Sequence, residues 1–289
     1  MVDFNPQDYE QNPLKKYFRQ PKIHIPLPSN GKYYPEGSVD IPETGEFPIF
    51  AMTAKDELTM KTPDALLNGQ ATVDVIQSCV PSIKNAWDLP TLDLDALLLA
   101  IRIATYGEVM EITADIPGTK EKREFQIDIR KVLNQLVTAT YESEVQMGDL
   151  KVFTRPLTYK EFTKTSLQTF EEQRVFAIIN NDEIDDEEKL DKFNKSFKKL
   201  TDISVSMLNK CVWKIQIGDT EVTNEKHIQE FMENSDKEFY TFIMEHLEEQ
   251  KKKFQIKPLK VSSTEEDIAN GAPAEWELPI TFDQANFFA

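Results

Sequence analysis

Cysteine is scarce. Cys79 and Cys211 are the two in 289 residues, too few for a disulfide scaffold and in keeping with a reducing compartment. Positive charge is also short: 33 Lys+Arg stand against 50 Asp+Glu, a net charge of −17. A chain this acidic repels phosphate backbones over most of its surface, so no nucleic-acid partner is expected. No apolar run approaches the roughly 18 residues that a membrane span requires. The most apolar window, Ala96 to Ala104, is broken by Arg102, and membrane insertion is not expected. Met1 to Glu10 is polar and acidic rather than basic-then-apolar, so a soluble protein made in the cytoplasm is the expectation.

Catalytic signatures are missing too. GxxxxGK[ST], GxGxxG, HExxH and GxSxG do not occur, which removes the common phosphate-cradle, dinucleotide, zinc-protease and serine-hydrolase readings. His24, His227 and His246 sit in different elements with no cysteine nearby. His246, next to Leu247 on an apolar helix face, reads as a partly buried structural histidine rather than a general base. Cys79 and Cys211 have apolar neighbours and read as small buried hydrophobes, not nucleophiles. The acidic stretch Asn181 to Glu188 lacks the glycine of a calcium loop at its sixth position and puts Ile184 in a ligand slot, so it reads as a solvated joint ahead of a helix. The expectation is a non-enzymatic protein with no catalytic residue, metal or cofactor.

What is present is material for a core: 40% hydrophobic and 10% aromatic residues, in a length that suits about two domains. Residues 1–21 carry scattered aromatics without a period and read as an extended arm. Ile23, Ile25 and Leu27 alternate as a strand, and Val39 with Ile41 and then Phe47 to Met52 give two more strand candidates. Pro26, Pro28, Pro42 and Pro48 confine these to sheet edges. Thr53 is placed to cap a short helix, Gly69 to end another after Thr62-Pro63-Asp64, and Leu92 to Tyr106 to form the clearest helix of this half, capped by Thr91 or Asp93 and ended by Gly107. Val109 to Ile116, Pro117-Gly118 and the Phe125-Ile127-Ile129 alternation predict a hairpin, followed by a helix near Arg130 to Leu136 and a strand near Leu150 to Thr154.

The later half reads as helical. Thr158 with Glu161 forms a capping box, with Leu157 and Phe162 as a hydrophobic staple, opening a helix to about Ile179. Leu190, Phe193, Phe197, Leu200, Ser204 and Met207 alternate by three and four, the seam of an antiparallel helical hairpin or a short coiled coil. Val212, Ile215 and Ile217 predict a strand, and Ser235 with Glu238 a second capping box before a helix ending at Lys253. Residues Ile256 to Ala274 read as linker. The resulting division is an arm (1–21), an α+β domain (22–155), a helical domain (156–256), and a linker with an extended aromatic tail (257–289). Aromatics gather at both ends: Phe4 and Tyr9 on the arm, Trp276, Phe282, Phe287 and Phe288 on the tail. Such anchors either bind grooves and sheet edges of partner subunits or fold back on their own domain.

Several phrases carry a resemblance. Leu27-Pro28-Ser29-Asn30-Gly31-Lys32-Tyr33-Tyr34-Pro35 is similar to an LPSxGKxYP opening, Met52-Thr53-Ala54-Lys55-Asp56-Glu57 to an MTxKDE follow-on, and Pro279 to Phe288 to a PxxFDxxNFF ending. Asn68-Gly69 through Cys79-Val80-Pro81, and Asp93 to Gly107, fit the helical signatures between them. In this order they resemble the baseplate hub protein family of T-even-type contractile-tailed bacteriophages, best over residues 22 to about 115 and the last dozen. The resemblance implies a structural virion component of the tail baseplate or hub, binding other baseplate, hub or tail-tube proteins, or alternatively a hub assembly chaperone absent from the finished particle. Some members of that family carry a zinc-ribbon-like CxxC before the aromatic ending. Asn270 to Trp276 holds no cysteine or histidine here, so no metal site is carried over, and Trp276 and Leu278 must supply by packing what metal supplies elsewhere.

Overall fold

A computed structural model describes residue 14 and residues 17–62, 69–179 and 186–280. Over these the fold is mixed α and β, with several small antiparallel sheets. β1 (Pro21–Pro26) pairs with β2 (Glu46–Phe50), Ile25 opposite Phe47. This sheet has two strands, so both are edges and its prolines interrupt no central ladder. The predicted strand at Val39 and Ile41 is reduced to a single bridge from Val39 to Ile83.

α1 (Ala54–Met60) starts at Thr53, whose side chain caps Asp56 N while Asp56 returns the bond, a full capping box. Gly69 stands at the start of α2 (Gln70–Cys79) in the left-handed region at φ 79°; the helix expected to end at it falls on residues 63–68, outside those described. α3 (Thr91–Tyr106) is buried almost all round, with Ala96, Leu97, Leu99, Ala100 and Ile101 fully inaccessible. A helix apolar on every side belongs at the centre of a core, and the largest core cluster assembles on it from β1, β2, α2 and α4 (Ile129–Thr138). β3 (Val109–Asp115) and β4 (Lys122–Asp128) form the expected hairpin, Val109 opposite Asp128.

The later half combines long helices with strands that share a sheet with the first half. A four-stranded meander takes β5 (Glu144–Met147) and β6 (Leu150–Thr154) from before residue 156 and β7 (Val212–Ile217) and β8 (Thr220–Val222) from after it. α5 (Tyr159–Ile179) and α6 (Asp186–Cys211) lie between β6 and β7 in sequence, although those strands are neighbours in the sheet. The helical hairpin is therefore an insertion in the meander. Its two feet are tied by the Arg155 amide donating to Cys211 O at 2.7 Å. α7 (Glu225–Asn234) and α8 (Lys237–Lys253) close a second core with Val152, Ile215, Ile228 and Ile243. Asp236, not Ser235, caps α8, because the Ser235 hydroxyl is turned back to Phe231 O.

Residues 256–274, read as linker, contain β9 (Leu259–Ser262) and α9 (Glu265–Ala269), a short helix made viable by a Thr264–Asp267 capping box. β9 pairs with β10 (Glu275–Leu278). This unit packs on the β3–β4 hairpin. Arg123 donates two bonds to the Asp267 carboxylate, at 2.8 and 2.7 Å, and a Cβ at Gly118 would lie 2.3 Å from Gly271 O, so the two turns touch only because Gly118 has no side chain.

Candidate interaction surface

The signature phrases of the first half converge inside the protein. Asn30 (φ 53°), Gly31 (φ 74°) and Tyr33 (φ 69°) wind through the left-handed region, bringing Ser29 and Tyr34 to one carboxylate. Asp93 accepts the Ser29 amide at 2.7 Å, the Ser29 hydroxyl at 2.5 Å and the Tyr34 hydroxyl at 3.1 Å, and is fully buried. Burial pushes its carboxyl up to about 7, against the downward pull of those donors. Asp93 thus does not cap α3; Pro90 holds the N-cap position, and the aspartate in the first turn reaches back to the loop. The second phrase does similar work. Asp56 accepts from Thr53 N at 2.8 Å, Ser78 Oγ at 3.0 Å and Arg19 at 3.4 Å, while Arg19 also reaches the Ala51 and Ser78 carbonyls. Each buried polar group here is bonded to another, which is how such groups stabilise a loop.

The reactive side chains are occupied or quiet. Burial pushes the Cys79 and Cys211 thiols up to about 12, far from a thiolate at neutral pH. Burial lowers His246, whose ring nitrogen lies 3.3 Å from Thr154 Oγ1. Among the described residues no group of three or more His, Cys, Asp and Glu could hold a metal ion, and no helix is long and apolar enough to cross a membrane.

The surface carries the other message. On the inserted hairpin, Phe170 is 56%, Leu190 61% and Phe197 61% exposed, and Phe162 and Phe193 exceed 40%. The Phe193 and Phe197 rings stack, 6.3 Å between centroids. Polar groups also lie between α5 and α6: Ser196 and Thr165 are buried, and Lys199 with Ser196 holds the Glu172 carboxyl of α5 below the usual range. Exposed aromatics gathered on one element mark a protein-binding face. At the foot of the hairpin the same side of α6 enters a concavity of about 420 Å³ between α3, α5 and α8, lined by Leu94, Phe162, Met207, Cys211, Met244 and Leu247 among others.

Of the predicted anchors, the structure places Trp276 on β10, half-buried and edge-on to Phe125 at 5.6 Å and 78°, with Leu278 beside it 1% exposed. Phe4, Tyr9, Phe282, Phe287 and Phe288 lie outside the described residues. The hairpin face was missed in the sequence. Its signal was there, the three-and-four seam through Leu190, Phe193 and Phe197, but a seam does not say whether its partner is in the same chain.

A family model described as T4 bacteriophage base plate protein matches residues 20–270. No curated protein matches the chain, and no solved structure does.

Proposed function

The chain belongs to the T4 bacteriophage base plate protein family, and from that premise we propose that it is a structural subunit of the baseplate hub of a contractile tail, working through adhesion to neighbouring hub, baseplate or tail-tube proteins. The observation that carries this reading is the apolar face of the α5–α6 hairpin. An element inserted between adjacent strands can lengthen or change without disturbing the sheet beneath it, and this one presents Phe170, Leu190 and Phe197 to solvent. A stable contact buries about 1,600 Å² and needs no cofactor. Phe4, Tyr9, Phe282, Phe287 and Phe288 extend the proposed contact set to the two ends, and Trp276 joins it as the residue that fixes the last strand before the tail. The −17 charge keeps free subunits apart until a complementary partner arrives.

The alternative, a hub assembly chaperone absent from the mature virion, draws on the same acidity and on the same exposed helical hairpin. Quantitative mass spectrometry of purified virions separates them. Stoichiometric presence of this chain is the expected result; its absence from particles that need it for assembly would transfer the hairpin to a chaperone's role.

A further inference from the structure

The exposed face of α6 and the groove at its foot are one surface. Residues seven apart on a helix drift by only about 20°, so Leu190, Phe197, Ser204 and Cys211 follow one line along α6. Ser204 and Cys211 line the groove, whereas Leu190 and Phe197 are each 61% exposed. The line is about 32 Å long at 1.5 Å per residue. Apolar positions that recur by three and four over such a length match the side-chain ridges of another helix. The groove end adds a charge with nothing to meet it. Asp95 lines the groove from α3 and is partly buried. Its carboxylate makes no hydrogen bond or ion pair among the described residues, and burial alone raises it to about 6. The two cations of the same groove are engaged with neighbours, Arg155 with Glu161 at 3.0 Å and Lys251 with Glu248 at 3.8 Å. A desolvated carboxylate without a partner costs stability, and a cation that arrives with a ligand relieves that cost. A second copy of this chain is a poor source of the cation, since it would bring a further −17 to the contact.

We propose that α6 and the groove form one docking site for an amphipathic helix of a partner protein, its apolar stripe laid along Leu190, Phe197 and Met207 and a lysine or arginine near one end seated against Asp95. This rests on the adhesive role given above and names the kind of partner that role requires. The site is tested on the isolated protein, whereas virion composition tests the baseplate role, so either can fail without the other.

The probe is a displayed library of helix-forming peptides of about 20 residues, long enough to cover the line, selected on the full chain. The selected peptides are expected to share an apolar stripe at three-and-four spacing and a Lys or Arg at one fixed place. Binding of the tightest should fall by about tenfold or more towards Phe197→Ser, and likewise towards Asp95→Asn. Replacing the peptide's basic residue by Gln should weaken binding to the wild type about tenfold and leave binding to Asp95→Asn unchanged. Asp95→Asn has no side-chain bond to lose, so its circular dichroism spectrum and melting temperature should match or exceed those of the wild type; the Gln peptide tests the same contact on unaltered protein. Peptides without a basic residue, binding indifferent to Phe197→Ser or to the Gln exchange, or a selection that yields no peptide would each overturn the proposal. So would a dimer in light scattering that Phe197→Ser dissolves, which would give the face to a second copy.

Discussion

The body around α3 and the hairpin α5–α6 treat polar and apolar groups in opposite ways. In the body a buried carboxylate is fully bonded: Asp93 is 0% exposed and takes three donors from the Ser29–Tyr34 loop. On the hairpin the apolar exceptions are outside, with Phe193 and Phe197 turned to solvent while Thr165 and Ser196 are buried. One region follows the binary pattern that holds a core together; the other breaks it at Phe193 and Phe197. The contrast separates two kinds of important residue. The Ser29–Tyr34 and Met52–Glu57 phrases build the scaffold, whereas the exposed phenylalanines lie on the inserted hairpin.

The strongest way to break this comparison is to remove the caged carboxylate. Asp93→Ala leaves the Ser29 amide and the Ser29 and Tyr34 hydroxyls buried without an acceptor, and a loss of about 2–4 kcal/mol in urea unfolding is expected. If stability is unmoved, the loop is held by something else and the contrast fails on the body side. The hairpin side is tested by Phe193→Ser combined with Phe197→Ser. Because both rings are exposed, stability should change by no more than about 0.5 kcal/mol. Affinity for the baseplate partner should fall by about 30-fold or more if these rings are hot spots. A variant that unfolds instead would make them core.

A smaller effect sharpens the boundary of the body. Arg123→Met removes both bonds to Asp267, which is 2% exposed, and should lower the melting temperature by loosening α9 and β10 from the β3–β4 hairpin. The drop should be less than that of Asp93→Ala, since Arg123 is 37% exposed and its side of the pair is screened by solvent. Adding Asp267→Asn should then cost little more, because the two act as one unit in a double-mutant cycle.

How much of this could be read beforehand depends on the range of the interaction. α3, the β3–β4 hairpin and the start of α5 are legible because period, turn residues and the Thr158–Glu161 box act within a few positions; that box is present, with Thr158 N donating to Glu161 at 2.9 Å. The Asp93 cage is not, since Ser29 lies 64 residues earlier and a first-turn aspartate has an adequate local explanation as a cap. The pairing of β6 with β7 was hidden by the inserted helices between them. α9 was overlooked because a five-residue helix has no period to detect, only its capping box. The aromatic ends stood out from composition alone, but the outward face of α6 did not. Which side of a helix meets its neighbour is a property of two helices rather than one, as the Lys199–Glu172 pair between α6 and α5 illustrates.

The body also predicts a pH signature of its own. The Asp93 carboxyl titrates at about 7 in the folded state against an ordinary 3.8, so between those values the folded protein binds the extra proton. Its contribution is complete below 3.8, declines as pH rises to about 7, and is level above. Burial raises Asp95 to about 6, which acts in the same direction. Asp267 has the opposite sign: Arg123 and Thr264 hold it at about 2, so its contribution is present above 3.8 and is lost as pH falls towards 2. Asp93→Asn retains an acceptor for the Ser29 amide but cannot ionise. The stability of the wild type minus that of this variant should therefore fall across the interval from 3.8 to about 7 and then flatten. The same subtraction with Asp267→Asn should rise between about 2 and 3.8. Urea titrations at a series of pH values give both curves, and a flat first curve would mean that the Asp93 carboxylate is hydrated and the buried cage is not what holds the loop.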